Sequence, residues 1–528
     1  MNCSIDNTST EKPTPPTTEP TTTEPTLTKN YYQYNCLAQS TDITGEGNFP
    51  QGCQFSPDGL CVLTATAADA TLRLYNLVTG AEAGAGSGIG SEEARLQTKE
   101  ATTEAKTTTT AIPQPWTCAL RSSVVGEVVR SYDWYPRMQS SNPATCLFAA
   151  TGRDQPVQLI DAYTGNIRAT YAPVNEREEM ESPATVVQFS PNGDQIITAG
   201  YKSERMLVVF DTGIPGRGGT VVKLGHTKRS KDGQKGMISA LACSKESSSI
   251  SSGSSPLIAV GTYAPGSIYV YDYRQKSHSG VIWNDGCCIV GHGNKHKHKC
   301  ARGKKRRLVH NTTDDNHHDD HDNDNNIFSF AKAKWYAQRV HRGITQLEFN
   351  SHYMLYSASR NSDAVLVWDL RMMSGIEDFQ TNPIGGYANY PTNAYTNQRL
   401  QFCLDEPSQR LWVGGCDGRL LVYDTSTSSN DNPPLQSIKD IPGCIPGDAV
   451  NGISYQPTYD MLAVATGSRR FPPIETYDSD SDSGTGNGNE AKTTTGPPPP
   501  VPGSLLLYKV NNTYSTTDNI NAHNEMER

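Results

Sequence analysis

Hydrophobic residues are scarce in this sequence: they make up 35% of its 528 positions, against about 45–50% in an average globular chain. No apolar run approaches the roughly 18 residues of a membrane-spanning helix, and residues 1–30 contain no apolar segment of the kind that a signal peptide needs. Among the 13 cysteines, no pair has the Cys-x-x-Cys spacing of zinc or redox sites. These absences predict a chain without a membrane segment, with reduced thiols in the cytosol or nucleus, and with much of its length outside any core.

Positive charge is not in excess either. The chain has 46 Lys and Arg against 55 Asp and Glu, a net charge of −9, which excludes binding to nucleic acid through bulk positive charge but leaves a local basic patch open. Enzyme signatures are also missing, because the glycines at 84, 86, 88 and 90 miss the Gly-x-Gly-x-x-Gly register and there is no Walker loop or nucleophile elbow. The sequence therefore predicts a non-enzyme with no cofactor and no small-molecule substrate.

Gly and Pro are abundant, at 45 and 33 residues, and they concentrate with Thr, Ser and Asn in polar tracts that cannot bury enough apolar surface to offset their ordering entropy. We predict these tracts to be disordered tails and long low-complexity loop insertions around one domain, residues 30–510. A His/Asp cluster at 317–324 could chelate a divalent ion weakly, but a disordered cluster does not favour specific coordination, so no metal site is predicted. The tails are residues 1–29 and 511–528, and the insertions are about residues 81–115, 293–326 and 476–502.

The remaining sequence repeats, and the repeat determines the predicted fold. Each unit has an alternating apolar strand, a turn, a strand rich in small residues, a polar loop and a strand that ends in an aromatic–acidic pair or a close relative of one. Two units carry the turns Pro57-Asp58-Gly59 and Pro191-Asn192-Gly193, in which Pro pre-sets the first φ and Gly accepts a positive φ. Without the insertions, the spacing of the units approaches the roughly 40–50 residues of one propeller blade. The units end at positions 76, 161, 211, 272, 369, 424 and 509.

Seven such units predict an all-β fold, a seven-bladed WD-repeat β-propeller, and the fifth unit ends in the signature dipeptide Trp368-Asp369. The seventh unit, from Val450 to about Val510, supplies only three strands. The segment Tyr31–Ala38 is the strand-like candidate for the missing outer strand. That pairing would close the ring and leave no open edge.

Acidic residues recur at the ends of the last strands, where a ring of acids could serve a metal or catalysis. Because they share one register across the units, we interpret them instead as residues that cap turns. His341, just before the fifth unit, is predicted to be a buried histidine that bonds within its own blade. The recurrent acids are Asp161, Asp211, Asp272, Asp369 and Asp424.

Nine passages along the chain match one family in order. They are NFPQGCQFSPDG at 48–59, GRDQP at 152–156, DAYTGNIRATYAPVNEREE at 161–179, TGIPGR at 212–217, HRGITQLEF at 341–349, SRNSDAVLVWDLR at 359–371, TNQRLQF at 396–402, NGISYQP at 451–457 and GSRRFPP at 467–473. With these passages the chain resembles the telomerase Cajal body protein family of WD-repeat proteins. The resemblance spans roughly residues 45–475, includes loops between blades, and fails in the insertions and both tails.

The resemblance implies an RNA-binding scaffold that recognises the Cajal body box, a short loop motif in small Cajal body RNAs of the box H/ACA type and in animal telomerase RNA. It implies delivery of these ribonucleoproteins to nuclear Cajal bodies and contacts with box H/ACA ribonucleoprotein proteins. The implied location is the nucleus, which allows a cytosolic pool. Tail-based contacts do not carry over, because the tails do not match.

The loops between the second and third strands of propeller blades lie on one common face, and here they carry several cations and aromatic residues. Such side chains can stack unpaired loop bases and hold phosphates, so we predict an RNA-binding face. The alternative is that these loops are simply exposed and polar. The candidate RNA-binding residues are Arg153, Tyr201, Lys202, Arg205, Tyr263, Arg360, Arg469, Arg470 and Phe471.

A basic run at residues 295–307 has the composition of a nuclear-localisation or nucleic-acid patch. Its alternative is an insertion whose charge is balanced by the following Asp/His tract. The candidate nuclear-localisation residues are Lys304, Lys305, Arg306 and Arg307.

Two other functions remain open from the sequence. One is a protein-interaction scaffold of the same fold in another nuclear process such as pre-mRNA splicing, in which the loop cations serve protein partners. The other is an enzyme with a site in the central channel, although no nucleophile or base stands at a recognisable spacing.

Deletion of residues 295–307 is expected to weaken binding of a Cajal body box RNA and of a scrambled-loop RNA equally, or to alter nuclear entry alone. The reason is that a disordered Lys/Arg tract adds salt-sensitive affinity that does not depend on sequence. Fluorescence anisotropy with both RNAs and imaging of the nuclear fraction measure the two effects. If the deletion abolishes discrimination between the RNAs, the prediction is wrong.

Overall fold

Strands account for nearly all of the regular structure. The computed structural model describes residues 31–77, 113–174, 184–201, 206–224, 233–244, 257–263, 266–272, 278–284, 343–350, 353–372, 383–388, 398–426, 434–438, 448–468 and 503–513. These ranges contain thirty strands and a single-turn 3-10 helix, Leu370–Met372. Within them, no helix is long and apolar enough to span a membrane.

In chain order the strands are β1 (Tyr31–Ser40), β2 (Gln54–Phe55), β3 (Cys61–Ala65), β4 (Leu72–Asn76), β5 (Gln114–Trp116), β6 (Leu120–Ser122), β7 (Val129–Trp134), β8 (Leu147–Gly152), β9 (Val157–Asp161), β10 (Ile167–Ala172), β11 (Val186–Phe189), β12 (Gln195–Ala199), β13 (Met206–Asp211), β14 (Gly216–Arg217), β15 (Thr220–Lys223), β16 (Ile238–Cys243), β17 (Ile258–Thr262), β18 (Ser267–Tyr271), β19 (His278–Asn284), β20 (Ile344–Phe349), β21 (Met354–Ser359), β22 (Ala364–Asp369), β23 (Gly385–Ala388), β24 (Phe402–Asp405), β25 (Arg410–Gly414), β26 (Leu420–Asp424), β27 (Gln436–Ile438), β28 (Val450–Gln456), β29 (Met461–Thr466) and β30 (Leu505–Thr513).

The strands form seven sheets, which are the blades of a β-propeller. Counted from the innermost strand outward, blades 1 to 6 are β2-β3-β4-β6, β7-β8-β9-β10, β11-β12-β13-β15, β16-β17-β18-β19, β20-β21-β22-β23 and β24-β25-β26-β27. Blade 7 is β28-β29-β30-β1. The predicted seven-bladed fold is confirmed.

The burial pattern explains why the sequence folds in this way. Second and third strands such as β17 and β18 are buried at every position, because neighbouring blades cover both of their faces, and they read as continuous apolar runs. The innermost strand β20 alternates between buried and half-buried positions over its last residues, as expected when one face meets a blade and the other meets the centre. The core therefore lies between blades: Trp368 of blade 5 packs in one cluster with Ile268 and Val270 of blade 4.

The two predicted turns and four of the five predicted capping aspartates are confirmed. Gly59 and Gly193 have φ of 76° and 77°, and each donates its N–H to the carbonyl oxygen of the serine three residues earlier at 2.8 Å. Four strand-end aspartates accept the backbone N–H of the residue two positions further on, at 2.7–2.9 Å, as in an Asx turn. They are Asp161, Asp211, Asp369 and Asp424.

The N-terminal strand completes blade 7, as predicted. Strand β1 lies beside β30 as the fourth strand, and the Ser40 Oγ accepts the N–H of Leu505 at 2.9 Å. Tyr32 also ties this strand to blade 6. Its backbone N–H and C=O each bond the side chain of Gln436 at 3.0 Å, and its hydroxyl accepts a bond from Nε of Arg410 at 3.0 Å. A strand from the start of the chain thus covers the edge that would otherwise stay open.

Two blades carry a short fifth strand that the sequence did not predict. Strand β14 pairs in parallel with β10, and β5 pairs in parallel with β1. The second corrects the predicted insertion 81–115, whose last two residues belong to β5. The strand is held because Trp116 is 3% exposed, packs 4.9 Å from the ring of Tyr75 and donates Nε1–H to the carbonyl of Asn76 at 2.8 Å. Strand β30 likewise continues to Thr513, into the predicted C-terminal tail. The other predicted insertions, the N-terminal tail and His341 lie outside the described residues.

Deletion of residues 1–40 is expected to lower the melting temperature strongly, because it removes the outer strand of blade 7, whereas deletion of residues 1–25 should leave it near the wild-type value. Tyr32→Ala should cost about 3 kcal/mol of unfolding free energy through lost packing, and Tyr32→Phe only about 1 kcal/mol for the hydroxyl bond. Thermal and urea unfolding provide the measurements. Equal melting of the two truncations would show that β1 does not close the ring.

Candidate functional site

In blades 2, 4 and 5, the loop that follows the second strand lies beside the start of the innermost strand. Ile344 at the start of β20 pairs with Ser359 at the end of β21, directly before Arg360. The same register holds in blades 2 and 4, so Arg153 and Tyr263 occupy equivalent positions. We call this side of the propeller the upper face. Three of the predicted RNA-binding residues therefore share it.

Arg360 and Tyr263 form a cation–π pair across the junction of blades 4 and 5. The guanidinium carbon lies 4.1 Å from the ring centroid, inside the limit of about 6 Å for this interaction. Backbone bonds fix both residues, because Arg360 N–H donates to the carbonyl of Gly343 at 2.9 Å and Tyr263 N–H to that of Met237 at 2.8 Å. Gly343 has φ of 77°, and a Cβ there would lie 2.1 Å from the Tyr263 carbonyl oxygen. With Met237 50% exposed, a planar cation, an aromatic ring and a thioether stand together at the surface.

Arg153 is the exposed cation of blade 2. Its nearest carboxylates are those of Glu127 at 3.7 Å and Asp154 at 3.9 Å, and all three side chains are more than half exposed. Ion pairs of this kind contribute little. Arg153 can therefore exchange these partners for a ligand at small cost.

The remaining candidates divide into one buried residue and several that the structure does not describe. Tyr201 is 5% exposed and packs among core residues of blades 2 and 3, and its hydroxyl bonds that of Thr198. Its ring is thus part of the core and is not presented to a base. The candidates outside the described residues are Lys202, Arg205, Arg469, Arg470 and Phe471, together with Lys304, Lys305, Arg306 and Arg307.

A small pocket of about 30 Å³ lies beside Arg360, between blades 5 and 6. Its wall includes Asn361, which has a φ of 49°, and Gln398, whose Nε2 donates to the carbonyl of Gly467 in blade 7 at 2.8 Å. Gln401 lines both this pocket and the central channel. The pocket and the channel are therefore separated by one stretch of chain.

The innermost strands of all seven blades enclose a central channel with a cavity of about 500 Å³. Its charged side chains separate along the axis. Arg130, at the start of β7, and Arg399, just before β24, lie toward the upper face. Asp133 follows Arg130 by three residues, about 10 Å along a strand, and Glu348 is the second-last residue of β20. The channel is thus positive at its upper mouth and negative further down.

Neither channel arginine has a protein counter-charge in the described part of the chain. Both side chains are exposed to the channel, and no described carboxylate lies within ion-pair distance of either. Desolvation by the channel wall lowers the pKa of the Arg399 guanidinium, while Tyr132 opposes the shift. Sequence reasoning missed both residues because it examined only the loops. The repeat register that identifies the innermost strands is the signal that could have found them.

Asp133 is a half-buried acid of the channel. Its Oδ2 accepts the N–H of Phe189 in blade 3 at 2.8 Å, and its Oδ1 accepts a bond from Nε2 of Gln54 in blade 1 at 3.2 Å. Burial raises the pKa of Asp133 to about 6, although these bonds favour the charged form. Among the described residues, no group of three or more His, Cys, Asp or Glu side chains is placed to hold a metal ion.

This fold, with its inter-blade core, its capping aspartates and the Trp368-Asp369 dipeptide, is that of a seven-bladed WD-repeat propeller. No family model matches the chain. Telomerase Cajal body protein 1 of Homo sapiens is 29% identical over 435 residues, which cover 82% of this chain and 59% of that protein. Four other mammalian proteins of the same name are 27–28% identical over 80–83% of this chain, and together these relatives support its similarity to the telomerase Cajal body protein family.

Two further relatives extend the comparison. Telomerase Cajal body protein 1 homolog of Drosophila melanogaster is 24% identical over 83% of this chain and 59% of that protein. Guanine nucleotide-binding protein negative regulator 1 of Schizosaccharomyces pombe is 26% identical over 59% of this chain and 62% of that protein. The chain spans about three fifths of the length of the curated relatives it matches.

Asp133 generates a pH dependence of stability. Because its pKa is about 6 in the folded chain and about 3.9 in an unfolded one, only the folded state holds the proton between these values. Its contribution to stability therefore falls as the pH rises from about 4 to 6. We expect the unfolding free energy of Asp133→Asn, relative to wild type, to rise by about 1–3 kcal/mol from about pH 4 to pH 6.5.

Urea unfolding at a series of pH values measures this difference. Asp154→Asn, on the exposed upper face, is the matched control for loss of one carboxylate. Parallel curves for wild type and Asp133→Asn would contradict the expectation.

Proposed function

We propose that the upper face binds RNA and recognises the Cajal body box, a short loop motif, in small Cajal body RNAs of the box H/ACA type. Telomerase RNA is a further ligand where it carries the same motif. In this proposal the propeller is a scaffold that delivers the ribonucleoprotein to nuclear Cajal bodies and contacts box H/ACA ribonucleoprotein proteins there.

The observation that carries the proposal is the Arg360–Tyr263 pair. Single-stranded loop bases are recognised by stacking on aromatic rings or guanidinium planes and by hydrogen bonds to their edges. A guanidinium held 4.1 Å over a ring, with the backbone of both residues anchored, can receive a base with little further loss of side-chain entropy. Arg153, with only weak surface ion pairs, supplies a cation for the phosphate backbone on the same face.

The relatives support the biological setting. The names of the human and Drosophila relatives connect those proteins with telomerase and the Cajal body. We extend that association, and the nuclear location it entails, to this chain. RNA recovered from denaturing pull-downs after cross-linking provides the test. Enrichment of box H/ACA RNAs supports the proposal, whereas absence of cross-linked RNA would favour a scaffold that binds only proteins.

Arg360→Ala and Tyr263→Ala are expected to lower affinity for a Cajal body box RNA about tenfold or more, because stacking contributes roughly 1–3 kcal/mol per base. Affinity for a scrambled loop should change much less, so discrimination is lost. Fluorescence anisotropy with both RNAs measures this, and thermal melting verifies that the variants fold.

The control is Arg371→Gln, which removes one positive charge from the opposite face, where Arg371 pairs with Asp369 at 2.7 Å. This variant should bind and discriminate as wild type does. Arg360→Lys keeps the positive charge but lacks the planar guanidinium. This variant should retain affinity for phosphate and lose part of the discrimination between the two RNAs. A folded Arg360→Ala protein that still discriminates would overturn the assignment of this residue.

A further inference from the structure

We infer that the upper mouth of the central channel is an anion site in which Arg130 and Arg399 hold a phosphodiester group of the bound RNA. This inference rests on the proposed function and deepens it. It adds a phosphate contact on the propeller axis to the stacking contact at the junction of blades 4 and 5.

Positive charge at the upper mouth is not balanced by the described residues. Two cations that face one cavity repel each other and attract an anion unless a carboxylate lies beside them. Arg399 is exposed to the channel, and no described carboxylate pairs with it. Arg130 lines the same cavity without an ion-pair partner in the described ranges. An anion between the two arginines would supply the negative charge that the described residues do not provide.

Two neutral side chains of the channel wall, Gln346 and Gln401, are engaged in bonds between blades. The Oε1 of Gln346 accepts the N–H of Phe402 at 2.9 Å, and its Nε2 donates to the carbonyl of the same residue at 2.9 Å. The Oε1 of Gln401 accepts the N–H of Cys53 at 3.3 Å. These bonds link blades 5, 6 and 1, so breaking them to serve Arg399 would weaken the contact between innermost strands.

Carboxylates inside the channel limit how deep an anion can enter. Asp133 and Glu348 lie further down the channel, and carboxylates repel an anion there. A negatively charged group is therefore held at the upper mouth and excluded from the lower part. The planar fork of arginine matches the oxygens of a phosphate bidentately, and a cavity of about 500 Å³ leaves ample room for one phosphate at its rim.

The position of the channel mouth beside the stacking pair favours RNA over an acidic peptide. Gln401 lines both the channel and the small pocket beside Arg360, so the two arginine sites are neighbours on one face. A single nucleic-acid strand can place a base on the Arg360–Tyr263 pair and a phosphate at Arg399. An acidic peptide offers the negative charge but no base for the stacking pair.

The first experiment compares wild type with the double variant Arg130→Gln/Arg399→Gln on a Cajal body box RNA and a scrambled-loop RNA. Both affinities should fall about tenfold or more, since bonds to charged groups are the strong ones. The slope of log affinity against log salt should decrease by about 0.7, the value for one phosphate of a single strand. The ratio of the two affinities should stay near the wild-type value, because phosphate contacts position the ligand and do not read it. Arg399→Lys should keep the slope and lose part of the affinity, and Arg371→Gln is the charge-matched control.

The second experiment detects the anion site without RNA. Calorimetric titration with inorganic tripolyphosphate at low salt should show binding to wild type and to Arg360→Ala, and no binding to the double variant. An octaglutamate peptide is the competing probe, and it should bind more weakly than tripolyphosphate.

The outcomes separate this inference from the proposed function. If Arg360→Ala loses discrimination while the double variant keeps wild-type affinity and salt slope, the channel-mouth site is overturned and the proposed function stands. If wild type binds tripolyphosphate through the two arginines but binds no RNA, the RNA occupant and the proposed function both fail. If octaglutamate binds through the two arginines and tripolyphosphate does not, the mouth is a peptide site and the inference is wrong.

Discussion

A propeller is stable only when its ring closes, and closure in this chain depends on hydrogen bonds between the innermost strands of neighbouring blades. Gln346 of blade 5 exchanges two bonds of 2.9 Å with the backbone of Phe402 in blade 6. The Ser454 hydroxyl of blade 7 accepts the N–H of Phe55 in blade 1 at 3.0 Å, and Asp133 connects blades 1, 2 and 3. These strands have no sheet partner on their inner side, so channel-facing side chains satisfy backbone groups that would otherwise need water. Strand β1 meets the corresponding need at the outer edge of blade 7.

This use of the channel side chains determines which of them are free to act on a ligand. At the channel wall, Gln346, Gln401, Ser454 and Asp133 are bonded to neighbouring blades, and altering them would loosen the contacts between blades. The arginines at the upper mouth take no part in these bonds within the described chain. Different side chains of the channel wall therefore stabilise the ring and bind the ligand. An arginine at the upper mouth can be replaced without breaking the bonds between blades.

The repeat register allowed the fold to be predicted from sequence, because each blade is specified by its own short stretch of chain. The glycine turns, the capping aspartates and the N-terminal outer strand all follow from that register. Features that depend on distant residues could not be predicted in this way. Trp116 is held by Tyr75, about forty positions earlier, and the inward position of Tyr201 depends on the packing of blades 2 and 3. The positions of Arg360 and Tyr263 in their loops predicted that both lie on one face of the propeller. The contact between their side chains could not be predicted, because it depends on how blades 4 and 5 pack against each other.

An acidic propeller can still bind RNA if its cations are few and fixed. At physiological ionic strength the Debye length is about 8 Å, so most of the net charge of −9 is screened from a ligand on the upper face. Arg153, Arg360 and the two channel arginines then dominate the local potential. A small number of phosphate contacts gives a shallow salt dependence and weak affinity for arbitrary RNA, and the overall negative charge lowers that affinity further at low salt. The free energy of a stacked and correctly placed loop is therefore a larger share of the total. In the proposed complex, an RNA that lacks the matching loop has too few phosphate contacts to bind tightly, so discrimination depends on the stacking pair.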